Sequence, residues 1–348
     1  MASIHQLPSG RWQVRFRDPA RESRGRNFKT KRDATAFANT VEADKLRGRY
    51  IDQQRTKTSL GDYAHRWLAI RRHEGARSTH DRDASYLRSM ILPSFGDRPV
   101  GSIRRADVKE WAAALDRATL TRAKAVQILR RVLELAVDDG AIAANPAAGV
   151  RVKGPKPRQG IALSDEQMRH LLNTAEATDP RTATVVWLMV RCGLRIGEVL
   201  ALRRTDLDGG RLTVRGSMSR SEGVTSPKTE AGERRLVMPA DAAERLHRHL
   251  AEQPVSNIEG FVFTAPMGGR LRYDNWRTRT WARIAGDVPF DVRPHDLRHT
   301  CATRLFTVEQ WTPAAVQAYL GHADPRMTLG TYTHIDAGDL PAPSRMAT

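Results

Sequence analysis

Lysine is nearly missing from the second half of this chain: residues 161–348 contain Lys228 and no other lysine, and use arginine instead. Arginine keeps its proton at any working pH, whereas a lysine can give one up. Cysteine is scarce too, with only Cys192 and Cys301 in apolar helical surroundings and without metal-ligand spacing. That argues against a disulfide framework and a cysteine-based zinc site, and predicts two buried structural thiols. No apolar run approaches a membrane span and the N-terminus has no secretory pattern, so a cytoplasmic protein with no membrane partner is expected. Neither a P-loop nor an acidic cluster suited to two-metal chemistry is present, so no cofactor and no metal are expected. Internal repeats and low-complexity segments are absent as well.

What the chain does have is positive charge. Its 348 residues carry a formal net charge of +18, with 40% hydrophobic and 28% charged residues, enough for two or three globular domains. Residues 1–57 hold 14 Lys and Arg against 6 Asp and Glu; residues 58–160 hold 19 against 11; residues 161–348 hold 24 against 22. The excess therefore sits in the first half, where it can grip a polyanion. A membrane surface is the competing polyanion, but no basic amphipathic helix with exposed aromatics stands out.

Residues 11–17 alternate, with Trp12, Val14 and Phe16 pointing one way and Arg11, Gln13, Arg15 and Arg17 the other. This predicts a half-buried strand with a basic outer face. A turn around residues 18–25, a second strand near 26–29 and a helix over 31–47 complete a small sheet backed by one helix. Residues 1–57 thus suit a DNA groove, with Arg11, Gln13, Arg15 and Arg17 toward the DNA. The polar stretch 52–58 reads as a linker. Residues 58–152 read as a bundle of short amphipathic helices, two capped by Ser59 and Ser78, one preceded by Asp107 and one stopping at Gly140. Residues 153–160 form a second linker rich in Pro, Gly and positive charge. Residues 161–348 read as mixed α+β. Ser164 caps a helix through Leu172, helices follow over 182–192 and 196–202, and strands over 212–218 and 233–238 flank the loop holding Lys228.

Within that last region lie Cys192-Gly193-Leu194-Arg195-Ile196-Gly197-Glu198, His295-Asp296-Leu297-Arg298-His299, Leu320-Gly321-His322 and Tyr332. In-line attack on a phosphodiester builds negative charge on two nonbridging oxygens, which two guanidiniums can clamp through bidentate bonds. A tyrosine phenol is a poor nucleophile at neutral pH and needs such neighbours. Gly193 breaks one helix and presents Arg195 at the start of the next. His295 and Arg298, three apart, share a helix face. In this order the boxes resemble those of the tyrosine recombinase (phage integrase) family, and the resemblance covers the whole chain.

The resemblance implies a multidomain protein: a small N-terminal β-sheet plus helix acting as an arm-type DNA-binding domain (1–57), an α-helical core-binding bundle (58–152), a linker (153–160) and a mixed α+β catalytic domain (161–348). It implies that Arg195 and Arg298 clamp the phosphate, Lys228 protonates the leaving 5′-oxygen, and His322 donates to the phosphate. His295 would accept the tyrosine proton or hold the phosphate. Tyr332 would be the nucleophile, leaving a 3′-phosphotyrosine that religates without a nucleotide cofactor. Glu198 would buttress the fold around Arg195, while His299 and Tyr319 read as packing and Tyr273 as part of a polar loop. The implied partners are double-stranded DNA attachment sites, a homotetramer on DNA, and an excisionase or DNA-bending host factor. Two other readings share part of this pattern. A helix-turn-helix regulator over 314–325 explains the charge but not Arg195, Lys228 and Tyr332 together, and a type IB topoisomerase shares the chemistry but not the arm-like domain.

Overall fold

Alternation near the N-terminus produces a three-stranded antiparallel sheet, β1 (Ser3–Gln6), β2 (Trp12–Arg17) and β3 (Ser23–Phe28), with β2 in the middle. Val14 and Phe16 are buried against Ala34, Ala38 and Val41 of the helix Lys31–Leu46. Two expectations are corrected. β1 was not foreseen, because four residues of mostly exposed sequence carry too little apolar pattern. β3 begins at Ser23, inside the segment expected to be a turn, because the ladder from Phe28 to Ser23 against β2 holds residues with poor intrinsic strand preference. Throughout, the computed structural model describes residues 2–18, 21–46, 50–52, 54–74, 76–155, 158, 160–219, 223–225, 233–252, 260–265 and 269–321.

The stretch expected to be a linker is tied down. Asp52 is buried, its carboxylate accepting from Arg24 Nη2 at 2.9 Å and Gln54 N at 2.8 Å, while its own N–H donates to Gly140 O at 2.9 Å. Thr56 Oγ1 donates to Ala141 O at 2.8 Å, so this segment is fastened to the corner that closes the bundle's last helix. Residues 1–157 accordingly form one compact unit.

In the bundle, Ser59 Oγ accepts from Asp62 N and opens the helix Leu60–Glu74 as expected. Ser78 does not cap: the next helix, Arg77–Tyr86, starts one residue before it and has Ala76 at the cap. Asp107 lies inside the first turn of Arg105–Ala114, where its carboxylate takes the Arg104 N–H at 3.0 Å. The helix Thr119–Asp138 buries Ile128, Leu129, Val132 and Leu133 in the bundle core, and Gly140 ends the run at φ 69°.

Residues 158–348 form the second unit. Ser164 caps Asp165–Thr178, a helix that runs six residues past the expected end at Leu172. Helices Pro180–Cys192, Ile196–Ala201, Ala240–Glu252, Pro294–Thr307 and Pro313–Leu320 follow, with β4 (Leu207–Asp208), β5 (Arg211–Val214), β6 (Ser217–Ser219), β7 (Gly223–Thr225) and β8 (Arg234–Val237) between them. The single strand expected over 212–218 is in fact two. β5 pairs with β4 and β8, whereas β6 turns away to pair with β7. Gly216 sits at the break, where a Cβ would press on Val224 Cγ1 and Thr225 O at 3.0 and 3.1 Å. Both thiols are buried, and burial pushes Cys301 up to about 12, which keeps it protonated and inert. Among the described residues, no helix is long and apolar enough to cross a membrane.

Candidate active site

The helix Pro180–Cys192 is buried over most of its surface and ends where the chain reverses hand. Gly193 does this at φ 62°, and a side chain there would meet Leu320 and Cys301. Arg195 then falls at the cap of Ile196–Ala201 with its side chain 36% exposed. Its Nη1 donates to Glu198 Oε1 at 2.7 Å and its Nη2 to Gly321 O at 3.3 Å. Glu198 also accepts from Arg195 N at 2.9 Å, which closes the first turn.

Arg298 reaches the same place from Pro294–Thr307. It is 2% exposed, and its Nη1 and Nη2 donate to Gly193 O and Leu320 O, each at 2.7 Å. Its Nε has no hydrogen-bond partner among the described residues. Burial, then the neighbouring Arg195 charge, lowers its pKa, the cost of holding a desolvated guanidinium beside another. Glu198 Oε2 stands 3.9 Å from Arg298 Nη1 and also pairs with Arg234 Nη2 at 3.0 Å. Burial opposes ionisation of Glu198, but the Arg234 hydrogen bond and charge outweigh it, helped by Arg195, and hold the carboxylate below its usual range. One carboxylate thus stands among three guanidiniums, which leaves the locus positive.

His295 opens onto a recess of about 530 Å³ lined also by Arg195, Ser217, Met218, Tyr273, Arg277 and Arg293. Desolvation by its neighbours comes first, then His299, Arg298 and Arg195, in lowering the His295 pKa, which favours the neutral ring although the residue keeps an exposed edge. The ring of His299 stands edge-on to that of His295, centroids 5.0 Å apart. Tyr273 is not in a loop but begins a helical run, Tyr273–Asn275. Elsewhere in this unit arginines are engaged by carboxylates: Arg191 with Asp241, Arg215 with Asp206, Arg245 with Glu176 and Arg304 with Asp165. Arg277 and Arg293 line the recess, are exposed, and are in no ion pair among the described residues. Among the described residues this recess is lined by Arg277 and Arg293 without acidic partners, by Arg195 held on Glu198 and by no carboxylate, which suits an anion. Sequence reasoning missed Arg234, Arg277 and Arg293, because an arginine outside a recognisable box looks like any other in an arginine-rich region.

A second recess, of about 590 Å³, is walled by Val190, Leu236, Val237, Leu305, Trp311 and Tyr319, with Arg191, Arg235, Arg304 and Glu309 also lining it. Burial raises the Tyr319 phenol well above its ordinary pKa, and its Oη donates to Val237 O, so this residue packs as expected. Lys228, His322 and Tyr332 lie outside the described residues. In the N-terminal sheet, Arg15 and Arg17 are exposed on the face opposite Val14 and Phe16, with Gln13 partly exposed on that same face and Arg11 exposed just before β2. Gln13 Oε1 accepts from Arg15 Nε at 2.7 Å, and Gln13 Nε2 donates to Asn27 Oδ1 at 3.1 Å, which organises a polar outer surface. Arg24 and Arg26 behave differently, the first pairing with Asp18 and Asp52 and the second lying over Phe28 and Phe37.

The sequence model of the phage integrase family matches residues 162–338, that of the phage integrase N-terminal domain residues 2–47, and that of the phage integrase central domain residues 60–153. A putative prophage phiRv2 integrase of Mycobacterium tuberculosis is 30% identical over 363 residues, spanning 96% of this chain and 92% of its own length. The integrase of Mycobacterium phage D29 is 27% identical over 356 residues, spanning 94% and 91%. The fold is similar to that of a lambda integrase tetramer bound to a Holliday junction, with TM-score 0.65, 18% identity and coverage of 94% of each chain.

Proposed function

Because this chain belongs to the phage integrase family of tyrosine recombinases, we propose that Arg195, Arg298 and His295 receive the scissile phosphodiester of an attachment site, with Lys228, His322 and Tyr332 completing the reaction. The protein is an enzyme of site-specific DNA recombination. The observation that carries the assignment is the convergence of Arg195 and Arg298, from two helices about a hundred residues apart in sequence, on Glu198 and on the carbonyls of Gly193, Leu320 and Gly321. In this reading the partly exposed Arg195 donates to the phosphate, and Arg298, buried and with no Nε partner among the described residues, contributes its charge beside it.

In this reading Tyr332 Oη bonds to phosphorus as the bond to the 5′-oxygen breaks. His295, kept neutral by its surroundings, accepts the phenolic proton. The guanidiniums and His322 stabilise the charge that builds on the nonbridging oxygens, and Lys228 gives its proton to the departing 5′-oxygen, which leaves as a hydroxyl. The 3′-phosphotyrosine conserves the bond energy, so the reverse attack by another 5′-hydroxyl rejoins strands without a nucleotide cofactor. Residues 1–57 act as the arm-type domain with Arg11, Gln13, Arg15 and Arg17 on DNA, residues 58–152 as the core-type domain and residues 161–348 as the catalytic domain, 153–160 linking the last two. The chain works in the cytoplasm as a homotetramer on paired sites, integrating and excising a phage or other mobile element, with an excisionase or DNA-bending host factor setting direction. Sequencing the junctions formed when the protein is expressed with its flanking DNA tests this. Reciprocal junctions support it, and relaxation of supercoils without strand exchange would point to a topoisomerase.

Two further outcomes are expected. Lys228→Ala slows cleavage by roughly 10²–10⁴, the range for a general acid. A 5′-bridging sulfur leaves without a proton and restores much of that rate; equal defects on both substrates remove Lys228 from the acid role. Truncation of the arm is best made before Asp52, since Asp52 and Thr56 hold the bundle corner. Protein lacking residues 2–50 should lose its footprint on arm-type sites while still cleaving the core site weakly. The lost contacts should be the salt-sensitive ones, each phosphate contact contributing a slope of about −0.9. Identical footprints for the two proteins would show that this sheet is not an arm-binding module.

A further inference from the structure

Arg234 lies at the start of β8, outside every sequence box, yet its side chain is only 7% exposed. Its Nη1 and Nη2 donate to the two oxygens of Glu198 at 3.3 and 3.0 Å, and its Nε donates to Tyr319 O at 2.8 Å. Glu198 is the carboxylate that holds Arg195. The two carbonyls after that of Tyr319 are those that receive Arg298 and Arg195. Arg234 therefore touches both supports of the clamp and bridges strand, helix start and helix end.

We propose that Arg234 is a positioning residue: by holding Glu198 and the Tyr319 carbonyl at a fixed separation, it aims Arg195 and Arg298 at the scissile phosphate. The proposal rests on the clamp reading given above. Its physical basis is competition for one carboxylate. With Arg234 in place, Glu198 has a bidentate partner and stays 3.9 Å from Arg298 Nη1. Without it, a buried carboxylate loses a charged partner and must satisfy its oxygens from the remaining guanidiniums. Glu198 would then close on Arg298 and draw its charge away from the phosphate, while the end of the helix Pro313–Leu320 loses its tie to β8. A lysine could keep the charge but not the planar fork that reaches both Glu198 oxygens and the Tyr319 carbonyl at once.

The test measures covalent-adduct formation on attachment-site DNA carrying either a normal scissile phosphate or a methylphosphonate, whose methyl group removes the negative charge that the clamp serves. Wild type, Arg234→Gln, Arg234→Lys and Arg195→Ala are compared, with DNA affinity and melting temperature recorded for each. On the normal phosphate Arg234→Gln should be slower by roughly 10- to 10²-fold, the scale of a misaimed catalytic group. DNA affinity should be unchanged, and most of the rate should return on the methylphosphonate. Arg234→Lys should fall between Gln and wild type, and it carries the same comparison if the Gln variant does not fold. A general folding defect would depress both substrates equally. That result, or no loss at all, overturns the proposal when Arg195→Ala in the same assay does favour the methylphosphonate. If Arg195→Ala treats both substrates alike, the clamp reading itself is overturned, and the role of Arg234 with it.

Discussion

Tyr332→Phe is expected to abolish the covalent protein–DNA adduct while leaving DNA binding nearly intact. The substitution removes one oxygen and no charge, so the contacts that grip the polyanion persist. The residues that would have to substitute for it are poor replacements. Tyr319 is partly buried, its phenol is held well above its ordinary pKa, and its carbonyl is fixed to Arg234. Tyr273 lines the recess and is the sharper rival, so Tyr273→Phe belongs in the same experiment. After incubation with attachment-site DNA and denaturation, wild type and Tyr273→Phe should give a species of shifted mobility, and Tyr332→Phe none. An adduct formed by Tyr332→Phe would remove Tyr332 as the nucleophile, and loss of the adduct in Tyr273→Phe alone would put Tyr273 in its place.

Arg195→Ala and Arg298→Ala should each lose about 3 kcal/mol or more of transition-state stabilisation, the scale of removing one charge-stabilising donor. They should differ in what happens to the fold. Arg195 is partly exposed, and Glu198 keeps Arg234 as a partner when Arg195 is gone, so this variant should melt close to wild type. Arg298 is buried and satisfies Gly193 O and Leu320 O. Truncating it strands two buried acceptors, each costing about 1–3 kcal/mol, so Arg298→Ala should be less stable as well as inactive. Single-turnover cleavage together with thermal melting separates the two. Recombination at wild-type rate by either variant would mean that its arginine does not touch the phosphate. An Arg298→Ala protein that melts like wild type would mean that the two carbonyl bonds do not stabilise the fold.

The sequence by itself pointed to much of the candidate site. Arg195, His295 and Arg298 were recognisable through boxes that resemble those of the tyrosine recombinases, and Gly193 marked the helix end that presents Arg195. It also determined the basic outer face of β2, since period-two alternation in a short segment leaves no other assignment for Arg15 and Arg17. The buttressing place of Glu198 followed from its spacing, three residues after Arg195. Tertiary structure alone decided the rest. That Glu198 is shared by three arginines, one of them on β8, depends on packing between segments far apart in the chain, which local pattern does not encode. The split of the expected strand at Gly216 was decided by which neighbour each half pairs with. The strand β3 exists because β2 offers its ladder, despite poor local propensity. Arg234 shows the difference most plainly. Its residue type and surroundings in sequence match those of Arg235 beside it, but alternation along β8 turns Arg234 inward onto Glu198 and leaves Arg235 outside.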